Sequence, residues 1–110
     1  KSVAQTAHLL QSSDLSSRIM IDASHGNSRK NHLAQPNVIE DISTQVAEGS
    51  HGIFGVMIES HLEEGKQSHS NLDSLKYGQS ITDACLSWNQ TEPLLEKLAN
   101  AVVTKRKESR

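Results

Sequence analysis

Cysteine is almost absent: Cys85 is the only one, so no internal disulfide framework can form, and we expect a reducing, cytoplasmic setting rather than that of a small secreted scaffold. Aromatic residues are nearly missing too, with only Phe54, Tyr77 and Trp88 among 110 residues, which removes the large rigid side chains that usually dominate small cores. Hydrophobic residues make up 35%, and even with glycine added this falls short of the roughly 45–50% of ordinary globular domains. The core that the chain can build alone is therefore thin. An excess of positive charge is also lacking: 11 Lys and Arg stand against 13 Asp and Glu, for a net charge of -2. That excludes the basic field of a dedicated nucleic-acid binder, and we expect no nucleic-acid partner. The longest apolar run, 53–58, is broken by Gly55 and lies far below the roughly 18 residues of a membrane span. We therefore expect no membrane association, and nothing at the start resembles a signal peptide. The first residue is Lys1 and not Met, and we expect a longer reading frame to precede it.

What is present alternates. Val3, Ala7 and Leu10 recur at helical spacing over 1–11, and a serine-rich loop follows. Residues 18–23 carry Ile19, Met20 and Ile21 without interruption, the pattern of a parallel-sheet strand buried on both faces. A polar loop over 24–35 leads to a helix over 36–49, with Pro36 in its first turn, Val38, Ile39, Ile42 and Val46 on one face, and Gly49 at its end. Residues 52–58 give a second buried strand, so 19–53 reads as a βαβ crossover joining parallel strands. After a second polar connection over 60–80, the pattern predicts a short helix over 82–88 and a final helix over 91–105. In the latter, Thr91 is the expected cap, Pro93 lies in the first turn, and Leu94, Leu95, Leu98 and Val102 form the buried stripe. The expected architecture is α/β, in the order helix, strand, helix, strand, helix, as one domain over 1–110.

In parallel α/β folds, reactive groups gather at the C-terminal ends of the strands. The first strand here ends in Asp22-Ala23-Ser24-His25 and the second in Ile58-Glu59-Ser60, so an imidazole and a carboxylate leave equivalent points. Asp83, expected near a helix start, follows the second long loop. His25, Glu59 and Asp83 form a mixed nitrogen and oxygen set suited to Mn²⁺, Fe²⁺, Co²⁺ or Zn²⁺. The plain alternative is that His25 bonds its own loop, Glu59 is solvated or paired, and Asp83 caps a helix.

Four blocks carry a resemblance. Ile19-Met20-Ile21-Asp22-Ala23-Ser24-His25-Gly26-Asn27-Ser28, Gly55-Val56-Met57-Ile58-Glu59-Ser60, Glu64-Gly65-Lys66-Gln67-Ser68 and Tyr77-Gly78-Gln79-Ser80-Ile81-Thr82-Asp83-Ala84-Cys85 resemble, in order and separation, the closing part of a 3-deoxy-D-arabino-heptulosonate 7-phosphate (DAHP) synthase of the bacterial and fungal type. The resemblance implies a (β/α)8 TIM barrel, of which this chain would hold strands seven and eight and the closing helix. It implies metal-dependent condensation of phosphoenolpyruvate with erythrose 4-phosphate, the first step of the shikimate pathway, and a homo-oligomer at full length. Carried over by motif, His25, Glu59 and Asp83 match three of four metal ligands, with His25 beside phosphoenolpyruvate and Asp83 beside the erythrose 4-phosphate hydroxyls. The fourth ligand, a cysteine from an early strand, and most of the Arg and Lys phosphate clamps are not in this chain; Cys85 reads as a buried small hydrophobe. Ala23 stands where the family usually has a larger residue, a departure that bears on packing. The expectation is a chain that is inactive alone and that aggregates or needs its missing part. The rival from another class is a non-enzymatic remnant serving only as an assembly fragment.

Other motifs are decoys. Glu64-Gly65-Lys66-Gln67-Ser68 lacks the first Gly and the final Ser or Thr of a phosphate-binding loop, and Asn89-Gln90-Thr91 fits a glycosylation pattern in a chain that we expect to be cytosolic. His8, His32, His51, His61 and His69 show no ligand spacing and read as solvated or loop-bonding residues. Lys105, Arg106 and Lys107 close a helix, where cations complement its dipole.

Overall fold

The structure, a computed structural model, describes residues 2–25, 31–50 and 52–108. Helix α1 (Ser2–Ser12) turns a half-buried face of Val3, Ala7 and Leu10 inward and packs against β1 (Ile19–Asp22). It ends in a Schellman arrangement, with Leu15 N–H donating to Leu10 O at 2.8 Å, Asp14 N–H to Gln11 O at 3.1 Å, and Asp14 in the left-handed region at φ 60°. After β1, a 3₁₀ turn (His32–Ala34), capped by Asn31, leads into α2 (Gln35–Ala47), which Pro36 opens in its first turn. A second Schellman arrangement stops α2: Ser50 N–H donates to Gln45 O and Gly49 N–H to Val46 O, both at 3.0 Å. Gly49 takes φ 101° there, which a glycine adopts without strain.

Strand β2 (Ile53–Met57) runs parallel to β1, with Met20 opposite Gly55, Ile21 opposite Val56 and Asp22 opposite Met57. The register slips between Ile19 and Met20, leaving Phe54 as the extra residue. Helices α2 and α3 (Trp88–Glu108) pack together over one face of this two-stranded sheet. Ala23, Ile39, Ile42, Val46, Leu86, Leu94 and Ala101 form the core, with Ile21, Ile53, Val56 and Leu98 against it. Ala23, the small residue of the first motif block, is fully buried.

The two strands are not buried on both faces as expected. Met20 is 56% exposed and Phe54 62%, and Met57 lies on the same open side. The reason is that the described helices cover one face only.

Two further expectations are corrected. Residues 82–88 do not form a helix, because their main chain pairs with the preceding loop: Cys85 exchanges both hydrogen bonds with Gly65, and Leu86 N–H donates to Glu59 O at 3.0 Å. The final helix begins at Trp88, not Thr91. Its cap is Ser87, whose hydroxyl accepts the Gln90 N–H at 3.2 Å while Gln90 Oε1 accepts the Ser87 N–H at 2.8 Å, a reciprocal capping box. Thr91 is buried inside the helix and Pro93 lies in its interior. On the expected stripe, Leu94 is buried, but Leu95 and Val102 are exposed and Ala101 takes the buried position. At the far end, Lys105 Nζ donates to Ser50 O at 2.7 Å, tying α3 to the end of α2.

Candidate metal centre

The register of the sheet builds the site. With Asp22 opposite Met57 and Ala23 N–H donating to Met57 O at 2.9 Å, the two strands stop side by side. His25, three residues past β1, and Glu59, two residues past β2, therefore leave from the same end. Asp83 arrives by a different route. The pairing of Ser60 with Leu86, Gly65 with Cys85 and Lys66 with Ser80 folds the 80–86 segment over that end. Asp83 thus sits in an irregular segment rather than at the helix start expected for it.

His25, Glu59 and Asp83 each present one ligand atom, and the three atoms lie within 4.8 Å of one another. His25 Nε2 is 3.2 Å from Asp83 Oδ2 and 3.5 Å from Glu59 Oε2. They share a cleft of about 130 Å³ with Ser24, Lys66 and Ala84. Glu59 is the most enclosed of the three side chains at 24% exposure, and Asp83 the most open at 55%. Of the plain alternative, two parts also match the structure, since His25 bonds Asp22 and Ser24 of its own segment and Glu59 is paired, whereas Asp83 caps no helix.

Charge in the cleft is unbalanced. Burial, then the charge of Asp83, pushes the Glu59 carboxyl up, because two carboxylates share one small space. Hydrogen bonding to Asp22, then to Asp83, pushes the His25 imidazole up. Both effects have the sense that a bound cation would relieve, and one nitrogen with two carboxylate oxygens suits a borderline or hard divalent ion. The residues present therefore fit a metal of the class expected.

Asp22 stands behind His25, a contact that the sequence reading does not contain. Its Oδ2 accepts from His25 Nδ1 at 2.7 Å, and its Oδ1 accepts both the Ser24 N–H at 2.8 Å and the Ser24 hydroxyl. The Ser24 hydroxyl first, and His25 after it, hold the Asp22 carboxyl at about 2. The available signal was a carboxylate at the strand end, three residues before the histidine. Lys66, also on the cleft wall, belongs to a block that carries the resemblance but has no role of its own in the sequence reading.

The remaining readings divide. Cys85 is buried, its thiol donates to Asp83 O at 3.4 Å, and burial pushes its pKa up, as befits a small core residue. His32 is loop-bonding, 2.8 Å from Glu64 Oε2, and His61 Nδ1 accepts the Leu62 N–H. His8 and His69 are exposed, and His51 lies outside the described residues, as do Gly26, Asn27 and Ser28 of the first motif block.

Comparison with known proteins decides the family. The profile of the DAHP synthetase I family matches residues 1–96. The chain belongs to the DAHP synthetase I family. It is 53% identical over 108 residues to the tyrosine-inhibited phospho-2-dehydro-3-deoxyheptonate aldolase of Schizosaccharomyces pombe, covering 94% of this chain and 29% of that protein. It is 47% identical over 106 residues to the Phe-sensitive aldolase of Escherichia coli, covering 96% and 30%. The solved structure of the aldolase from Francisella tularensis superposes with a TM-score of 0.89 at 44% identity, covering 94% of this chain and 30% of that one. The chain thus spans about three tenths of these DAHP synthetase relatives. Their names carry different inhibitors, so an inhibitor does not transfer with family membership.

Proposed function

We propose that this chain carries the metal-holding end of a DAHP synthase, the enzyme that condenses phosphoenolpyruvate with erythrose 4-phosphate and releases phosphate. The observation that carries the reading is the convergence of His25, Glu59 and Asp83 at the shared end of two parallel strands. In this reading β1 and β2 are the seventh and eighth strands of a (β/α)8 barrel within a single domain. The open sheet face of Met20, Phe54 and Met57 is the face that the remaining strands would cover. The chain alone is then catalytically incomplete, and the activity belongs to a larger, cytoplasmic homo-oligomer. No helix among the described residues is long and apolar enough to cross a membrane.

His25, Glu59 and Asp83 would hold one divalent ion (Mn²⁺, Fe²⁺, Co²⁺ or Zn²⁺), which when bound supplies Lewis-acid polarisation of an aldehyde oxygen or activation of a water. The chain's own residues divide the rest. Asp22 fixes the His25 ring so that Nε2 faces the cleft. Asp83, the most exposed of the three, is placed to accept hydrogen bonds from substrate hydroxyls at the open side, and His25 borders the phosphoenolpyruvate site. Glu59, the most enclosed, balances positive charge at the cleft floor.

The test is Mn²⁺ binding by calorimetry to the 110-residue chain and to a His25→Ala, Glu59→Ala, Asp83→Ala triple variant, both first checked for folding. Saturable binding that disappears in the variant is expected. Identical behaviour of the two would remove the metal reading and leave a non-enzymatic assembly fragment, for which the exposed sheet face already speaks. A steady-state assay with both substrates and Mn²⁺ completes the test: no turnover is expected from the chain alone, and turnover would overturn its incompleteness.

A further inference from the structure

A fully buried polar side chain lies outside the triad and reaches into its frame. Gln35 is 0% exposed, which is unusual for an amide side chain, and its burial demands partners for both of its ends. Both partners belong to one residue. Gln35 Oε1 accepts the Glu59 N–H at 3.0 Å, and Gln35 Nε2 donates to Glu59 O at 3.2 Å. A primary amide that engages the N–H and C=O of a single residue copies what a neighbouring strand does in a ladder.

The position explains why a substitute is needed. The pairing of β2 with β1 ends at Asp22 and Met57, with the Ala23 bond to Met57 O as its last contact, so the main chain at residue 59 has left the sheet. Leu86 N–H reaches the Glu59 carbonyl from the other side. Glu59 is thus held between the 86 segment and Gln35. Gln35 in turn is the first residue of α2, a helix seated by Ile39 and Ile42 in the core. The seating of α2 is thereby transmitted to the carboxylate that faces His25.

We infer that Gln35 is a positioning residue for the metal centre, setting the place of the Glu59 carboxylate through its main chain. The inference rests on the metal reading given above. Partners behind metal ligands contribute about 10–100-fold to affinity when they are lost.

The test compares the folded chain with Gln35→Met, which keeps length and removes both hydrogen bonds, and with Ile39→Val, which weakens the same helix without touching Glu59. Mn²⁺ affinity is read by calorimetry, melting temperature by circular dichroism, and the exchange of the Glu59 amide by NMR. Gln35→Met is expected to lose at least about tenfold in Mn²⁺ affinity and the protection of the Glu59 amide. Ile39→Val is expected to lose stability with its affinity within about twofold and that amide still protected. An affinity in Gln35→Met equal to the parent, or a loss in Ile39→Val that matches its stability loss, would overturn the inference. If the parent binds no Mn²⁺, the metal reading fails by itself, and amide exchange decides the rest: selective loss of protection at Glu59 supports the clamp, and unchanged protection refutes it. Where Gln35→Met does not fold, Gln35→Glu, which retains an acceptor for the Glu59 N–H, carries the same comparison with a smaller expected loss.

Discussion

Replacing Asp22 by Asn keeps the shape of the side chain and removes its charge, and the outcome follows from what each end of the amide can then do. In the parent, one carboxylate oxygen serves Ser24 and the other accepts from His25 Nδ1 at 2.7 Å. An amide offers one acceptor oxygen and one donor nitrogen. If the oxygen stays with Ser24, the NH₂ faces Nδ1, which must become an acceptor; the ring proton then sits on Nε2, the nitrogen that faces Glu59 and Asp83. If the oxygen turns to His25, the NH₂ opposes the Ser24 N–H and a part-buried donor loses its partner. Either arrangement weakens the centre. Hydrogen bonds to charged groups contribute about 1.5–3 kcal/mol. Asp22 and His25 are each 38% exposed, so solvent screening leaves only a small expected loss of stability. Mn²⁺ affinity is expected to fall about 10–100-fold.

The pH dependence has a definite sign. The Asp22 carboxyl sits at about 2 in the fold against an ordinary 3.8, so its contribution is complete above the ordinary value and is lost as the pH falls toward 2. The imidazole of His25 is shifted the other way, up from 6.5, so its share is complete below 6.5 and is lost as the pH rises through its folded value. The stability gap between parent and Asp22→Asn should therefore be widest between about pH 4 and 6.5 and narrow on both sides. Urea denaturation across that range and calorimetric Mn²⁺ titration measure the two effects. A gap that persists at pH 2, together with equal Mn²⁺ affinity, would refute the role given to Asp22.

Three further substitutions probe the frame that carries the site. Ser87→Ala removes the hydroxyl half of the capping box at the start of α3 and should cost about 1 kcal/mol in urea denaturation; a neutral result would mean that Gln90 alone holds that end. Gly78 adopts φ 80°, and a Cβ there would lie 2.9 Å from Leu62 Cβ, whereas Gly49 adopts φ 101° with nothing within 4 Å. Gly78→Ala should therefore cost more than Gly49→Ala, whose strain is about 1–3 kcal/mol, and equal losses would show that Leu62 moves aside without cost.

The alternation of helix and strand was legible because Ile19-Met20-Ile21 and the 53–58 run are contiguous, and because Ile39, Ile42 and Val46 repeat with the helical period. The 82–88 segment was misread for a physical reason. Ile81, Ala84, Cys85 and Trp88 also fit that period, but main-chain bonds from Cys85 to Gly65 and from Leu86 to Glu59, both long-range, decide the conformation. The start of α3 was legible in principle, since Ser87-Trp88-Asn89-Gln90 spells a capping box; Thr91 before Pro93 offered a competing cap, and only the packing of Thr91 against Ser60 removes it. At the site, the candidate residues His25 and Glu59 were visible just past the strand ends, and Asp22 lay in the same block as His25. Gln35 was not, because nothing local relates it to a residue 24 positions on.

The three site residues are thus held by contacts of different reach, and this bears on how the centre would respond to damage. His25 depends on a bond three residues away, to Asp22, and needs little beyond the end of β1. Glu59 depends on β2, the seat of α2 through Gln35, and Leu86, so it reports the integrity of the core. Asp83 depends on the pairing of 60–66 with 80–86, whose bridges use the buried Ser80, Cys85 and Leu86, the last of them part of the core, although Asp83 itself is 55% exposed. Opening of that pairing would carry Asp83 away and, because Leu86 N–H is bonded to Glu59 O, would loosen Glu59 as well, while His25 kept its place. Glu59 and Asp83 are therefore coupled through the 80–86 segment, whereas His25 is anchored locally, so damage to the core would displace the two carboxylates together before it moved the imidazole.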